Sequence, residues 1–280
     1  MGMMADYMAC GIKARAYINA MTISRRQIIA TLPLVSLLRP QMVMATEGQP
    51  PDAATMARSL DQLHSLLVLR GGERVLSVFR RGGPDQVANI KSVSKTILAL
   101  LTGIAIDRGL LAGPEQRVLP LLNHPGFGDA RDNITIGHLL SMTAGLEGTS
   151  GPNYGAWVTS DDWVRFALNH PLINEPGEEF IYSTGSWHIL GAALSRVAGT
   201  SLLAMARDWL AAPLNIDIAP WIQDPQGRYL GGNEMAITPR GLARIGQMVL
   251  NNGEYDGRRV VSEAWLKASW HPRARSPWSG

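Results

Sequence analysis

The run from Thr96 to Ile106 is apolar or small at nearly every position and has no polar face. A helix that is apolar all round is buried on all sides. The run is too short to cross a bilayer, which takes about 20 apolar residues. It therefore predicts the central helix of a soluble domain, with the rest of the chain arranged around it. Gly109 suits the left-handed position after a helix and marks its expected end. Polar side chains sit only at the entrance, where Ser92 and Lys95 are spaced to share one helical face.

A hydroxyl and an amine at the mouth of a buried helix form a candidate nucleophile and base. An exposed lysine is protonated, whereas desolvation lowers its pKa and frees the amine. The helix start also offers unpaired N–H groups and the positive end of the dipole to a developing oxyanion. The spacing alone is weak, since 18 serines and 4 lysines in 280 residues give about 0.26 such pairs by chance. An N-capping serine beside a solvated lysine fits it equally well. Both readings stand until the rest of the chain is considered.

The formal charge of +3 is set by the N-terminal stretch. Residues 1–45 carry five basic residues and one acidic, and the remainder carries 21 basic and 22 acidic. No basic excess is left to suggest a nucleic-acid partner. Ser24, Arg25 and Arg26 precede an apolar run from Ile28 to Leu38, and Val43 to Ala45 has the small-residue character of a cleavage site. Paired arginines in this position predict a twin-arginine export signal over 1–45 and a periplasmic or secreted location. A short amphipathic helix is the alternative. Met21 serves as a start as well as Met1 does. The single cysteine, Cys10, lies in this leader, so a chain starting near Thr46 has no disulfide or thiolate chemistry. No stable membrane span is expected once the leader is removed.

Short apolar runs at Ser65–Arg70 and Glu73–Phe79, joined by Gly71 and Gly72, predict a β-hairpin. A short polar helix is expected before it, over 52–63. After the central helix come predicted helices over 136–142, over 163–169 following Asp161 and Asp162, over 186–197, and over 201–210. Thr238 as cap and Pro239 at the first position open the clearest amphipathic helix. A last helix is expected over 262–269. Residues 143–154 and 174–182 read as loops. The division is 1–45 leader, 46–115 first part of an α/β lobe with the central helix, 116–235 helix-rich lobe, and 236–280 return to the α/β lobe. A two-stranded hairpin is marginal alone, and no partner strand is visible after residue 236, so the α/β lobe reads as incomplete.

Tyr182 lies on a loop that feeds a helix. A phenol beside a cation can relay a proton, although a half-buried packing tyrosine fits the same position. The ordered set is more telling than any one piece. Ser92 to Lys95 on a buried helix is followed by Ile134 to Ile136 with Thr143 to Leu146. Pro176–Gly177 with Phe180 to Ser183 comes next, then Thr238 to Arg240 with Leu250 to Gly253. From about His64 onward the chain resembles the serine β-lactamase-like hydrolases, a superfamily that includes class C β-lactamases, D-alanyl-D-alanine carboxypeptidases, esterases and 6-aminohexanoate-dimer hydrolases.

The resemblance implies an α+β fold of the β-lactamase/transpeptidase type, an antiparallel sheet flanked by helices plus a helical lobe. It implies Ser92 as the acylated nucleophile, Lys95 helping to deprotonate it, Tyr182 passing the proton to the leaving group, and the Ser92 N–H as one oxyanion donor. It places Gly231 to Asn233 at the cleft wall, with no cofactor and no metal. The partner is a small ester, amide or peptide-like substrate. Two departures matter. The family often has asparagine two residues after the tyrosine, where this chain has Thr184; the shorter hydroxyl favours an esterase or amidase over a β-lactamase or carboxypeptidase. The family's Lys/His-x-Gly triplet, on a late strand that supplies a second oxyanion N–H, does not occur after Tyr182. His124 to Gly126 matches its letters but falls in a turn. The sequence is thus expected to stop short of the closing strands, and a catalytically impaired fragment or a non-catalytic binding member is the competing reading.

Tyr154, Trp157 and Trp163 are candidates for lining a substrate groove, or equally for packing the helical lobe. The six histidines show no metal-ligand spacing and read as structural or surface residues.

Overall fold

The computed structural model describes residues 52–277. The leader expected over 1–45, with Cys10, Met21, the arginine pair and the cleavage site, lies outside the described residues. Asp52 caps helix α1 (Ala53–Ser59) by accepting the Thr55 N–H. Strands β1 (Ser65–Arg70) and β2 (Glu73–Phe79) form the expected antiparallel hairpin, from Ser65 opposite Phe79 to Arg70 opposite Glu73. A register shift falls between Val68 and Leu69. Strand β3 (Ala88–Asn89) leads through a 3₁₀ turn, Lys91–Val93, into the central helix α2 (Ser94–Asp107).

Helix α2 is buried at Ser94, Lys95, Ile97, Leu98, and from Leu100 through Ala105, while Thr96 at its start is exposed. Gly103 has a structural reason. A Cβ there would meet the Trp265 ring at 2.1 Å, so only glycine lets that indole lie against the helix. The indole N–H donates to Ala99 O at 3.0 Å, and Asp107 accepts the Ser262 N–H at 2.7 Å. Burying one face of Trp265 and its neighbours here contributes on the order of 2 kcal/mol.

The middle of the chain is helical: α3 (Val118–Leu121), α4 (Ile136–Ser141), α5 (Tyr154–Val158), α6 (Trp163–Asn169) and α7 (Thr184–Ala198). Three of these starts are capped by side chains. Thr135 and His138 form a capping box on α4, Asp162 caps α6, and Ser183 caps α7. Helix α7 is buried continuously from Thr184 to Leu194 and packs against both α2 and α6. It is followed by α8 (Leu202–Met205), a π-helical segment Ala206–Ala211, and α9 (Ala212–Leu214), so the helix expected over 201–210 runs four residues further with a widened centre.

Strand β4 (Ala236–Ile237) pairs antiparallel with β3. Helix α10 (Pro239–Leu250), capped by Thr238, lies against β1. Strands β5 (Glu254–Tyr255) and β6 (Arg258–Arg259) make a short ribbon, and α11 (Glu263–Ser269) ends the described chain. Every pairing is antiparallel, but the strands form three two-stranded pieces rather than one sheet. The three strands after residue 235, β4, β5 and β6, were not expected, because two-residue strands are too short to show alternation. Among the described residues no single helix is long and apolar enough to cross a membrane.

Candidate active site

Ser92 is carried on the 3₁₀ turn between β3 and α2, and that turn is tied on both sides. Ile90 N–H donates to Met235 O at 2.9 Å, extending the β3–β4 pairing. Lys91 adopts φ of +46°, rare for a side chain with a Cβ, and its N–H is accepted by the Asn89 side-chain Oδ1 at 2.8 Å. Its ammonium meets Glu234 at 2.9 Å, and the Asn89 amide donates to the same carboxylate. Ser94 donates to Lys91 O at 2.5 Å and accepts the Met235 N–H at 3.1 Å. Glu234 and Met235 therefore fix the turn that presents Ser92, which remains half-buried.

Lys95 follows on the first turn of α2 and is only 6% exposed. Its Nζ donates to Gly232 O at 2.8 Å, lies 3.3 Å from Ser92 Oγ and 3.4 Å from Thr184 Oγ1, and sits 5.0 Å from the centre of the Tyr182 ring. Among the described residues no carboxylate pairs with it. Burial therefore acts unopposed, and the amine is pulled from its ordinary 10.5 to about 7. The neutral amine is thereby made accessible near neutral pH.

Tyr182 arrives on a strapped loop. Gly177 N–H donates to Thr143 O at 2.7 Å, and Ile181 N–H to Met142 O at 2.8 Å. Gly148 lies so close that a Cβ would stand 2.9 Å from Tyr182 O. The phenol donates to Ser92 Oγ at 2.7 Å. Thr184 Oγ1 lies 3.1 Å from Ser150 Oγ, which also accepts the Thr184 N–H at 3.0 Å. Thr149 Oγ1 takes the Gly185 N–H at 2.7 Å. The loop over 148–150 thus braces the start of α7, a role that the sequence reading missed.

The structure brings Ser92, Lys95, Tyr182 and Thr184 together; the aromatics considered for a groove pack against one another. Trp157 is fully buried and donates its indole N–H to Trp163 O at 2.9 Å, within ring contact of Trp163 and His188. It packs the helical region and cannot line a groove. Tyr154 is half-buried with its ring edge on Trp157. The alternative reading, packing of the helical lobe, describes Trp157; the loop expected over 143–154 gives way at Tyr154 to α5. His124 stacks on Phe127 and takes the Gly126 N–H, a turn arrangement. Two surface hollows, one along α11 and one around Ser160 to His170, contain none of the clustered residues. The Gly231 to Asn233 segment, placed at the cleft wall by the family resemblance, supplies the Gly232 carbonyl to Lys95; the buried His188–Asp224 pair that contacts Gly231 was not anticipated.

Comparison with known proteins adds a family to this geometry. The family model described as Beta-lactamase matches residues 56–279. The 6-aminohexanoate-dimer hydrolase of Paenarthrobacter ureafaciens is 27% identical over 223 residues, which cover 73% of this chain and 56% of the relative. The chain thus spans little more than half the length of that curated relative. Among solved structures, the octameric penicillin-binding protein homologue from Pyrococcus abyssi superposes with a TM-score of 0.63 at 18% identity, covering 77% of this chain and 57% of that one. EstCE1, a hydrolase with promiscuous acyltransferase activity, gives 0.60 at 20% identity, covering 76% and 73%. At these identities the structural likeness is one of fold.

Proposed function

The chain belongs to the β-lactamase family, and from that premise we propose that it is a serine hydrolase that cleaves an ester or amide through an acyl-enzyme on Ser92. The observation that carries this reading is the convergence on Ser92 Oγ of the Tyr182 phenol at 2.7 Å and the desolvated Lys95 amine at 3.3 Å. In the proposed cycle Ser92 Oγ bonds to the substrate carbonyl carbon, and its proton passes to Lys95. The carbonyl oxygen becomes an oxyanion beside the Ser92 N–H. The bond to the leaving group breaks, and Tyr182 delivers a proton to it, replenished from Lys95. Water then attacks the ester, losing its proton to the same base, and Ser92 regains its own.

Thr184 supports an ester or linear amide over a β-lactam, since its hydroxyl is already shared between Lys95 and Ser150. The hydrolase relatives support acyl transfer in general. The test is intact mass after brief exposure to a p-nitrophenyl ester or a fluorophosphonate. One adduct that vanishes in Ser92→Ala is expected; an adduct that persists in that variant places the nucleophile elsewhere, and an unlabelled wild-type chain refutes an activated Ser92. The reading includes export through the arginine-paired leader, checked by N-terminal sequencing of protein recovered outside the cytoplasm; an intact leader there would refute it.

A further inference from the structure

A second buried cluster touches the site from behind, through main chain rather than through substrate. His188, in the middle of α7, is fully buried, as is the Asp224 carboxylate that faces it at 3.1 Å. The other ring nitrogen, Nδ1, accepts the Gly231 N–H at 3.2 Å. Nε2 must then carry the ring proton and donate it to Asp224 Oδ2. Asp224 Oδ1 accepts the N–H groups of Gln226 at 3.0 Å and Arg228 at 2.8 Å, and Arg228 Nε lies 3.5 Å from Oδ2. Every lone pair and proton in this chain of contacts has one assignment.

The residue after Gly231 is Gly232, whose carbonyl takes the Lys95 amine. The two glycines are pressed onto the site. A Cβ on Gly231 would stand 2.3 Å from Trp187 O, and one on Gly232 would stand 2.9 Å from Lys95 Cγ. This segment is therefore the cover over the lysine stem as well as the acceptor for its amine. We propose that His188 and Asp224 are positioning residues for Lys95, holding the Gly231–Gly232 segment against the amine so that its carbonyl caps it and water is kept off. The inference rests on the reading of Lys95 as the base of the proposed reaction.

The groups that face the Lys95 amine are the Ser92 hydroxyl from its own segment, the Tyr182 ring, the Thr184 hydroxyl and the Gly232 carbonyl. The ionisable groups of the positioning cluster are His188, Asp224, Arg228 and Asp162. Asp224→Asn is a pointed perturbation. Its oxygen must stay on the two backbone N–H groups, so its NH₂ faces His188 Nε2. The ring proton then moves to Nδ1, where it confronts the Gly231 N–H, and the tether is lost without any change of volume. His188→Phe removes the tether while keeping Asp224, which retains Arg228 and its two backbone donors.

The experiment titrates Lys95 in the full chain by NMR, with ¹³C at lysine Cε; 4 lysines make assignment by loss in Lys95→Arg simple. The wild type is expected to titrate near 7. Loosening the cover rehydrates the amine, so both variants are expected to titrate higher by about one pH unit or more. Loss of the Asp224 charge alone acts in the opposite direction, so a rise in both variants isolates the cover. His188→Gln, which can accept from Gly231 and donate to Asp224, is expected to restore the wild-type value. Titration of both disruptive variants within about 0.3 pH units of wild type overturns the proposal. So does failure of both to fold, which would reassign the pair to stability. Because the readout is independent of turnover, failure of the Ser92 labelling test would leave this result standing on its own.

Discussion

Lys95→Met removes the ammonium and keeps an unbranched stem of similar reach, so it measures what burying the amine costs the fold. The gap between 10.5 and about 7 amounts to about 5 kcal/mol between charged and neutral lysine. The unfolded chain binds this proton below 10.5 and the folded chain only below about 7. Between those values the unfolded state holds more protons, so stability rises with pH and is lost as pH falls towards 7. Integrated, the loss is about 4 kcal/mol at pH 7, and about 2 kcal/mol of it returns between pH 7 and 9. Methionine removes the proton linkage and leaves Gly232 O without its donor, at a cost of about 1–3 kcal/mol. Lys95→Met should therefore be about 2 kcal/mol more stable than wild type at pH 7 and inactive. The assay is urea unfolding followed by tryptophan fluorescence at pH 7 and 9, where the wild-type minus variant difference cancels every other titrating group. Equal pH dependence in both proteins, or a variant that is less stable at pH 7, would refute the reasoning.

Tyr182→Phe deletes the hydroxyl 2.7 Å from Ser92 Oγ and keeps the ring beside Lys95. Acylation should fall by about 100- to 10,000-fold with little change in Tm; an undiminished rate, followed by stopped-flow release of p-nitrophenol, excludes the phenol from proton transfer. Gly232→Ala would place a Cβ 2.7 Å from Trp187 Cβ, at a φ of +76°. It should destabilise the protein by about 2 kcal/mol or more, and an unchanged urea midpoint would show that the segment yields easily.

What could be read in the sequence was local. The β1–β2 hairpin showed because Gly71 and Gly72 interrupt two apolar runs, and α10 because Thr238 and Pro239 announce it. Ser92 and Lys95 were visible because both lie on consecutive turns of one segment. Tyr182 emerged only from the order of motifs, since a loop tyrosine 90 residues away carries no mark of its partner. The β3–β4 pairing joins two-residue strands across most of the chain, and α5 hid among glycines. The resemblance put Gly231 to Asn233 at the cleft wall, but not the acceptor role of the Gly232 carbonyl, because a main-chain acceptor is the same atom in every residue.

That acceptor bears on how a lysine could be kept as the base of the proposed reaction. A carboxylate near the amine would have satisfied it more strongly, and would have raised its pKa back towards the ordinary range. The partners that the fold supplies are instead neutral: one carbonyl, two hydroxyls and a ring face. Lys91 and Glu234 pair with each other, and the Asp224 charge is absorbed by His188, Arg228 and two N–H groups. Dipoles alone hold the amine in place without raising its pKa. Such partners are weak individually, so their placement has to be rigid, which is the physical reason for a fully satisfied buried pair behind a two-glycine segment.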